Sequence, residues 1–184
     1  MGDVHAFENE KMIIGVIYHD AEIYKSVREI LIKEFGEIDR ESESFSFSRE
    51  FSEYYDEELG GEGTRVILSF RDTVDPERQA DIKLWTNEIE ALFSVNGARK
   101  INLDPGFINH GRLMLATTKK AGFRIPLRDG IYTELTLFWA RGGWQKLPWT
   151  YRDYQSERVQ RFITEVRGDY LRWRKGALKG EDNE

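Results

Sequence analysis

The residues best suited to bind a ligand lie between Ile101 and Tyr132, where polar side chains alternate with short apolar runs. From Arg99 to Arg128 the chain has seven Lys or Arg residues and one acid, Asp104, so seven minus one gives a net charge of +6 within a chain of net charge -6. Like charges in one segment raise the free energy of a fold unless a negative group offsets them. This local inversion of charge therefore predicts an anion-binding surface or pocket.

Lys119 and Arg124 are the residues that we expect to bind the anion. Neither lies on a helix face in the sequence pattern, and each has apolar neighbours that should anchor its backbone. Arginine can also bind carboxylate or phosphate groups in a bidentate manner. The competing interpretation is that both are solvated surface charges, as most Lys and Arg residues are.

Asn102 and Asp104 should lie on one face of a strand, because alternate residues of a strand point to the same side. Their oxygens could then converge on Mg²⁺ or on a sugar hydroxyl. Glu134 shares a strand face with Tyr132 in the same way. A simpler interpretation of Asp104-Pro105-Gly106 is a turn, in which Pro sets φ of the second position and Gly accepts a positive φ at the third. The predicted ligand-binding set is Asn102, Asp104, Lys119, Arg124 and Glu134, with no metal site.

Several kinds of chemistry have no support in the sequence. The chain has no cysteine, which excludes disulfides, thiolate metal sites and thiol catalysis. It contains no G-x-x-x-x-G-K-[ST] phosphate loop and no G-x-S-x-G nucleophile elbow. His19 and His110 lack a third nitrogen ligand or a close spacing, which disfavours zinc. No cofactor or reaction is indicated, and the pattern does not decide whether the protein is an enzyme.

The pattern also bears on partners and on location. Trp149, Tyr151 and Tyr154 could stack on a base or a carbohydrate, but aromatic residues beside Pro148 more often attach a connecting segment to the core. The pI near 5.3 argues against broad affinity for nucleic acid. The amino-terminal part has an apolar run only at Met12 to Tyr18, with acids before it, unlike a signal peptide or a membrane span. We therefore predict a cytoplasmic protein that does not enter a membrane.

Periodicity and capping residues predict the elements of the first half. Asp20 and Asp75 are expected helix N-caps, and the second helix should bury Trp85 and Ile89 on a stripe completed by Ile82, Leu92 and Phe93. Lys83, Asn87 and Glu90 should lie on its flank. The predicted elements are a strand at Met12 to Tyr18, a helix at about 21–35, strands at Ser42 to Ser48 and Thr64 to Phe70, and a helix at about 76–93. The acidic, glycine-containing loop Glu53 to Gly63 is predicted to be mobile.

The second half is expected to be mainly antiparallel. A hairpin should turn at Arg128-Asp129-Gly130, and Ser156 should cap a last helix that ends near Trp173. The remaining predictions are a strand at Arg99 to Leu103, a helix or strand at Leu113 to Thr117, hairpin strands at Phe123 to Leu127 and Ile131 to Trp139, a strand at Trp144 to Leu147, and a disordered tail at 180–184.

These elements predict the fold class. The length of 184 residues suits one domain, taken as residues 1–179. We predict an α/β (α+β) domain with a mixed, largely antiparallel sheet, helices packed on that sheet, and a ferredoxin-like plan with an added hairpin. A flavodoxin-like parallel sheet is the alternative.

Several sequence blocks together resemble the bacterial and archaeal family called domain of unknown function 4416. They are Ala80-Asp81-Ile82-Lys83 with Thr86-Asn87-Glu88, Asn102 to Gly106, Leu115 to Lys119, Asp129 to Glu134, and Pro148 to Tyr151 before Asp153-Tyr154. The resemblance covers most of the chain and implies no established activity. Some members are labelled GTP-binding protein, but this chain lacks the phosphate loop that such a label requires.

Two hypotheses for function follow. The first is that the protein binds a small anionic metabolite or a nucleotide in a pocket formed by residues 101–134. The alternative is a non-catalytic adaptor that holds a protein or RNA partner with its acidic loop and its basic carboxy-terminal helix. Convergence of Asn102, Asp104, Lys119, Arg124 and Glu134 on one pocket would favour the first hypothesis, and their dispersal over a flat surface would favour the second. The oligomeric state is not indicated.

Overall fold

A nine-stranded antiparallel sheet forms the centre of the molecule, and the computed structural model describes residues 2–181. The strands of the sheet are β1 (Glu10–Tyr18), β2 (Ile38–Glu41), β3 (Phe45–Ser46), β4 (Thr64–Val74), β7 (Ile101–Ile108), β8 (Arg112–Thr117), β9 (Ile125–Pro126), β10 (Tyr132–Ala140) and β11 (Gly143–Lys146). Strands β5 (Ser94–Val95) and β6 (Ala98–Arg99) form a separate hairpin. The helices are α1 (Ala21–Phe35), α2 (Phe47–Glu50), α3 (Asp56–Leu59), α4 (Gln79–Leu92) and α5 (Glu157–Glu181).

The order of the strands confirms the predicted fold class. The sheet reads β11-β10-β8-β7-β1-β4-β2, and β3 and β9 pair with β4 and β10. Its β7-β1-β4-β2 part, with α1 and α4 as the connections, has the β-α-β-β-α-β arrangement of a ferredoxin-like unit. Strands β8, β10 and β11 extend the sheet beyond β7. The flavodoxin-like alternative is wrong, because β1 is antiparallel to both of its neighbours.

Helices cover both faces of the sheet because its central strand is apolar on both sides. Met12, Ile14 and Val16 of β1 pack in the core beneath α1 and α4. Ile13, between them, packs in the second core, which α5 covers. Alternate residues of a strand point to opposite faces, so an uninterrupted apolar run needs a layer on each side. None of the helices in the described part of the chain is long and apolar enough to cross a membrane.

The predicted helix starts are confirmed by their caps. Asp20 Oδ1 accepts hydrogen bonds from the backbone N–H groups of Glu22, at 2.8 Å, and Ile23, at 3.3 Å. Asp75 Oδ1 accepts one from Glu77 N at 2.9 Å, and Pro76 then occupies the first position of a 3₁₀ turn that leads into α4. Side-chain caps of this kind satisfy backbone donors that the first helical turn leaves without a partner.

The buried face of α4 is rotated from the predicted one. Ile82 and Ile89 are buried as expected, whereas Leu92 is 75% exposed. Trp85 is half-buried and contacts Phe35 edge to face, instead of lying fully buried under the sheet. Lys83 and Glu90, expected on the flank, are 5% and 3% exposed. The apolar periodicity could not reveal this rotation, because the two charged residues form hydrogen bonds inside the fold.

The Asp104-Pro105-Gly106 turn was predicted wrongly, because β7 runs straight through these residues. Pro105 lies opposite Ile14 of β1, one residue before pairing with β8 begins at Gly106. Gly106 does not have a positive φ. It is required for space instead, since a Cβ there would lie 2.5 Å from Leu115 Cδ2 and 2.7 Å from the carbonyl oxygen of Met114.

Three other segments have a secondary structure that differs from the predicted one. The predicted strand Ser42 to Ser48 is a two-residue strand followed by α2, which starts at Phe47. The loop Glu53 to Gly63, predicted to be mobile, contains α3 and is attached by a hydrogen bond from Ser48 Oγ to Asp56 and by ion pairs between Glu58 and Arg99. Helix α5 continues past Trp173 to Glu181, so the expected tail at 180–184 begins inside the helix, and its residues 182–184 lie outside the described residues.

The strand predicted as one of two alternatives at Leu113 to Thr117 and the predicted turn at Asp129-Gly130 are confirmed. Leu113 to Thr117 is part of a strand, β8, which settles the choice between helix and strand. The turn between β9 and β10 has φ of 53° at Asp129 and 77° at Gly130. Two consecutive positive φ values are the geometry of a type I′ turn, which matches the right-handed twist of the strands it joins.

The close contact at Gly106 can be tested by substitution. Gly106→Ala should lower the free energy of unfolding by about 2 kcal/mol, because backbone atoms of β8 cannot move away from the added methyl group. Gly143→Ala is the matched control, since a Cβ at this other strand glycine meets nothing within 4 Å. Its effect should be under about 1 kcal/mol. Denaturant unfolding of both variants measures the difference, and equal losses would contradict the close approach.

Candidate functional site

A polar pocket lies at the junction of β7, β8, α4 and the segment that precedes α5. Asn102 and Asp104 of β7 and Lys119, just after β8, all line it. Its cavity measures about 90 Å³. Three of the five predicted ligand-binding residues therefore reach one place, although they belong to different parts of the chain.

The floor of the pocket is the guanidinium of Arg65, on β4. This side chain is 2% exposed. It fits because residue 15 of the neighbouring strand is glycine: a Cβ at Gly15 would lie 2.5 Å from Arg65 Nη2. Arg65 was not among the residues predicted from the sequence. The signal was an arginine at the start of an apolar strand, in a cross-strand position close to a glycine.

Two acids and a hydroxyl hold the Arg65 guanidinium. Nη1 lies 3.1 Å from Asp104 Oδ2, and Nη2 lies 3.2 Å from Asp153 Oδ2. Nη2 also donates to the hydroxyl of Tyr154 at 3.2 Å. Burial alone would lower the pKa of Arg65, but these neighbours outweigh it and raise the pKa above its usual value. The arginine therefore remains a cation in the interior.

The pKa values of the two acids are shifted in opposite directions. Burial would raise the pKa of Asp104, but Arg65 and Lys83 outweigh it and hold the pKa below the ordinary value. For Asp153, burial outweighs Arg65 and the pKa is raised. The Asp104 side chain is 29% exposed. Its Oδ2 accepts from Arg65 and Asn102, whereas no donor among the described residues reaches its Oδ1. Asp104 thus provides an ionised acceptor in the pocket.

Asn102 and Asp104 share a strand face, as expected, but they do not form a pair of oxygen ligands. Asn102 Nδ2 donates to Asp104 Oδ2 at 2.9 Å. The oxygen of Asn102 lies 3.4 Å from Arg99 Nη1 and accepts its hydrogen bond. No group of three His, Asp or Glu side chains within the described ranges could hold a metal ion.

A chain of charges that is buried at Lys83 and Glu90 supports the start of β7. Lys83 Nζ donates to the carbonyl oxygen of Leu103 at 2.7 Å, and Glu90 accepts from the Leu103 N–H at 2.7 Å. Glu90 also pairs with Arg99 at 2.9 Å, and Arg99 pairs with Glu58 at 2.7 Å. Lys83 and Arg99 both line the pocket. The signal for this cluster was the spacing of Lys83 and Glu90, because seven residues are about two helical turns.

Tertiary ion pairs neutralise most of the positive segment. Each of its four arginines pairs with an acid from outside the segment: Arg99 with Glu58 and Glu90, Arg112 with Glu10, Arg124 with Glu134, and Arg128 with Asp81. Among the described residues, no carboxylate lies within ion-pair distance of Lys119 or Lys120. The ammonium of Lys119 lies 4.7 Å from the ring centre of Tyr54. Lys119 is therefore the pocket-lining cation that remains available to a ligand.

Arg124 and Glu134 form the wall behind the pocket and do not line it. Arg124 Nε lies 2.7 Å from Glu134 Oε2, and the two side chains are 9% and 0% exposed. Arg124 Nη1 donates to the Lys119 carbonyl oxygen at 2.6 Å, and Nη2 donates to the Tyr151 hydroxyl at 2.9 Å. Burial raises the pKa of Glu134 although Arg124 opposes the shift. The expectation that Arg124 faces an anion beside Lys119 needs correction, because protein acceptors already engage all three of its nitrogens.

The aromatic residues near Pro148 have mainly packing roles. Trp149 stacks on Phe123 with ring centres 4.8 Å apart. Tyr154 is 1% exposed and lies against Arg65. Tyr151 is half-buried and lines the pocket with its hydroxyl bound to Arg124. A stacking platform for bases is therefore not assembled from these three rings.

Comparison with known proteins gives one match. A family model described as "Domain of unknown function (DUF4416)" matches residues 8–170. No curated protein and no solved structure matches the chain.

The Arg124–Glu134 pair can be tested by breaking it on one side. Arg124→Met should lower the free energy of unfolding by about 3 kcal/mol or more, because Glu134 is left buried without its cation. The double variant Arg124→Met, Glu134→Leu should recover much of that loss. Arg128→Met is the control, since its partner Asp81 is exposed, and it should cost under about 1 kcal/mol. Similar losses in the two single variants, measured by denaturant unfolding, would contradict the buried pair.

Asp104 should contribute to the pH dependence of stability. Its native pKa is depressed from the ordinary 3.8, so its ionisation stabilises the fold above that pH, and the contribution is lost as pH falls through the native pKa. The difference in unfolding free energy between the wild type and Asp104→Asn should therefore be constant near neutral pH and shrink below about pH 4. Denaturant unfolding across this range measures the difference. A constant gap down to strongly acidic pH would show that Asp104 is not held ionised.

Proposed function

The chain belongs to the family of domain of unknown function 4416, and on this premise we propose that it binds a compact anionic metabolite in the pocket lined by Asn102, Asp104 and Lys119. The family description gives no activity, so the proposal depends on the geometry of the site. The observation that carries it is the convergence of these three side chains, from β7 and from the end of β8, above the buried Arg65. The proposal concerns binding and assigns no reaction.

The charges of the pocket define what the ligand should carry. Lys119 offers a cation without a carboxylate partner among the described residues. Asp104 offers an ionised oxygen acceptor. A ligand that satisfies both has an anionic group for Lys119 and a hydroxyl or ammonium donor for Asp104. Charge-assisted hydrogen bonds of this kind are about twice as strong as those between neutral groups.

The size of the cavity favours a small ligand. The cavity has a volume of about 90 Å³. Pockets for drug-sized molecules are several times larger, at about 300 to 1,000 Å³. The cavity therefore suits one carboxylate or phosphate group and a few more atoms. A nucleotide would place only its phosphate there, with its base outside, near the exposed Tyr54.

The adaptor hypothesis has weaker support. Two of the five acids of the loop that it invokes, Glu58 and Glu62, are paired with Arg99 and Arg49. The predicted site residues also do not scatter over a flat surface. A cytoplasmic location stays part of the proposal.

A thermal-shift titration with phosphate, sulfate, glycolate and adenosine monophosphate tests the proposal. A ligand that binds only the native state stabilises it by about 2.7 kcal/mol at one hundred times its Kd. Lys119→Met should remove most of the shift given by the anion that binds, with little change in the stability of the unliganded protein.

Lys120→Met is the matched control. It removes the same charge at the next residue, and the Lys120 side chain does not line the pocket. It should keep the full response. If Lys119→Met responds as well as the wild type, or if both variants lose the response equally, the pocket assignment is wrong.

A further inference from the structure

A hydrogen bond from Arg124 determines how the Tyr151 hydroxyl in the pocket donates and accepts. A guanidinium can only donate. Since Arg124 Nη2 lies 2.9 Å from the Tyr151 hydroxyl, the oxygen of Tyr151 accepts this bond. The single proton of that hydroxyl is then left to donate elsewhere, and the described residues present no acceptor to it. Tyr151 lines the pocket, so the cavity is where an acceptor can reach it.

The hydroxyl keeps this proton over the physiological range. Burial, and then the charge of Glu134, raise the pKa of Tyr151 to about 12, against the opposing effect of Arg124. Tyr151 is therefore a neutral donor at neutral pH.

The same guanidinium also holds Lys119. Arg124 Nη1 donates to the Lys119 carbonyl oxygen at 2.6 Å, while Nε is bound to the fully buried Glu134. One arginine thus positions the backbone of one pocket donor and the hydroxyl of another. Donors fixed before the ligand arrives cost less conformational entropy on binding.

We propose that the Tyr151 hydroxyl and the Lys119 ammonium together bind an unprotonated oxygen of a carboxylate or phosphate group, with Arg124 as the positioning residue. This inference rests on the proposed function and names the group of the ligand that contacts this side of the pocket. Both of these groups donate, so the ligand atom that they contact must accept, whereas Asp104 in the same pocket offers its acceptor to a donor of the ligand. Tyr151 is then a binding residue.

The test is a titration with inorganic phosphate and, separately, with acetate. Thermal shift and calorimetry measure the binding in both titrations. Tyr151→Phe keeps the ring and removes the donor, so its Kd for the bound oxyanion should rise about tenfold, the effect of losing one hydrogen bond to a charged group. Tyr132→Phe is the control, because Tyr132 lies on β10 and does not line the pocket. Its Kd should equal that of the wild type.

Arg124→Lys tests the positioning role. Lysine keeps a cation beside Glu134, but it lacks the planar fork that reaches Tyr151 and Lys119 together. We expect a folded protein with a similarly raised Kd. Adding Tyr151→Phe to Arg124→Lys should cause little further loss, because the first substitution has already released the hydroxyl. Full additivity of the two losses would overturn the positioning role.

The outcomes separate this inference from the proposed function. The inference is supported if the wild-type protein binds phosphate or acetate and its Kd for that oxyanion rises about tenfold in Tyr151→Phe. The oxyanion to which the protein responds is then the one that the pocket binds. If Lys119→Met loses the response while Tyr151→Phe keeps it, the role of Tyr151 is overturned and the pocket stands. If the wild-type protein responds to no anion, the proposed function fails and this inference fails with it.

Discussion

The buried guanidinium of Arg65 is the constraint on which the site depends. It joins β4 to Asp104 of β7 and to Asp153 and Tyr154 before α5, and it occupies space that only a glycine at position 15 of β1 leaves open. A buried charge is costly to bring out of water, and removing one partner of a buried ion pair typically costs about 3 to 5 kcal/mol. The sheet and the segment before α5 must therefore keep this arrangement, and the pocket above it is fixed as a consequence.

Hydrogen bonds from the described residues hold Asp104 by only one of its two carboxylate oxygens. One oxygen accepts from Arg65 and Asn102, and no described residue donates to the other, so the carboxylate is held in place while it still offers an acceptor. Arg124 supports the opposite wall of the pocket. Its bond to Glu134 fixes the guanidinium, which donates to the Lys119 carbonyl oxygen and to the Tyr151 hydroxyl. Both walls of the pocket thus rest on buried ion pairs, which leaves few conformations to be lost on binding.

Local charge did not indicate which cations of the positive segment are paired inside the fold. The positive segment does contain the pocket-lining Lys119, but its arginines are paired with acids from other parts of the chain. The planar guanidinium of Arg124 forms three directed hydrogen bonds to groups of the protein, whereas no carboxylate among the described residues lies within ion-pair distance of the Lys119 ammonium.

The sequence by itself determined the features that neighbouring residues encode: the two-sided burial of β1, the caps at Asp20 and Asp75, the turn at Asp129 and Gly130, and, from their order, the ferredoxin-like plan. Each depends on periodicity or on backbone preferences over a few residues. Tertiary structure alone decided that β7 continues through Pro105, that Lys83 and Glu90 are buried, and that Arg124 pairs with the buried Glu134. In each case the deciding group belongs to a different strand, helix or loop. The free energy of a buried charge depends on its partner, and the residues next to it in the sequence do not identify that partner.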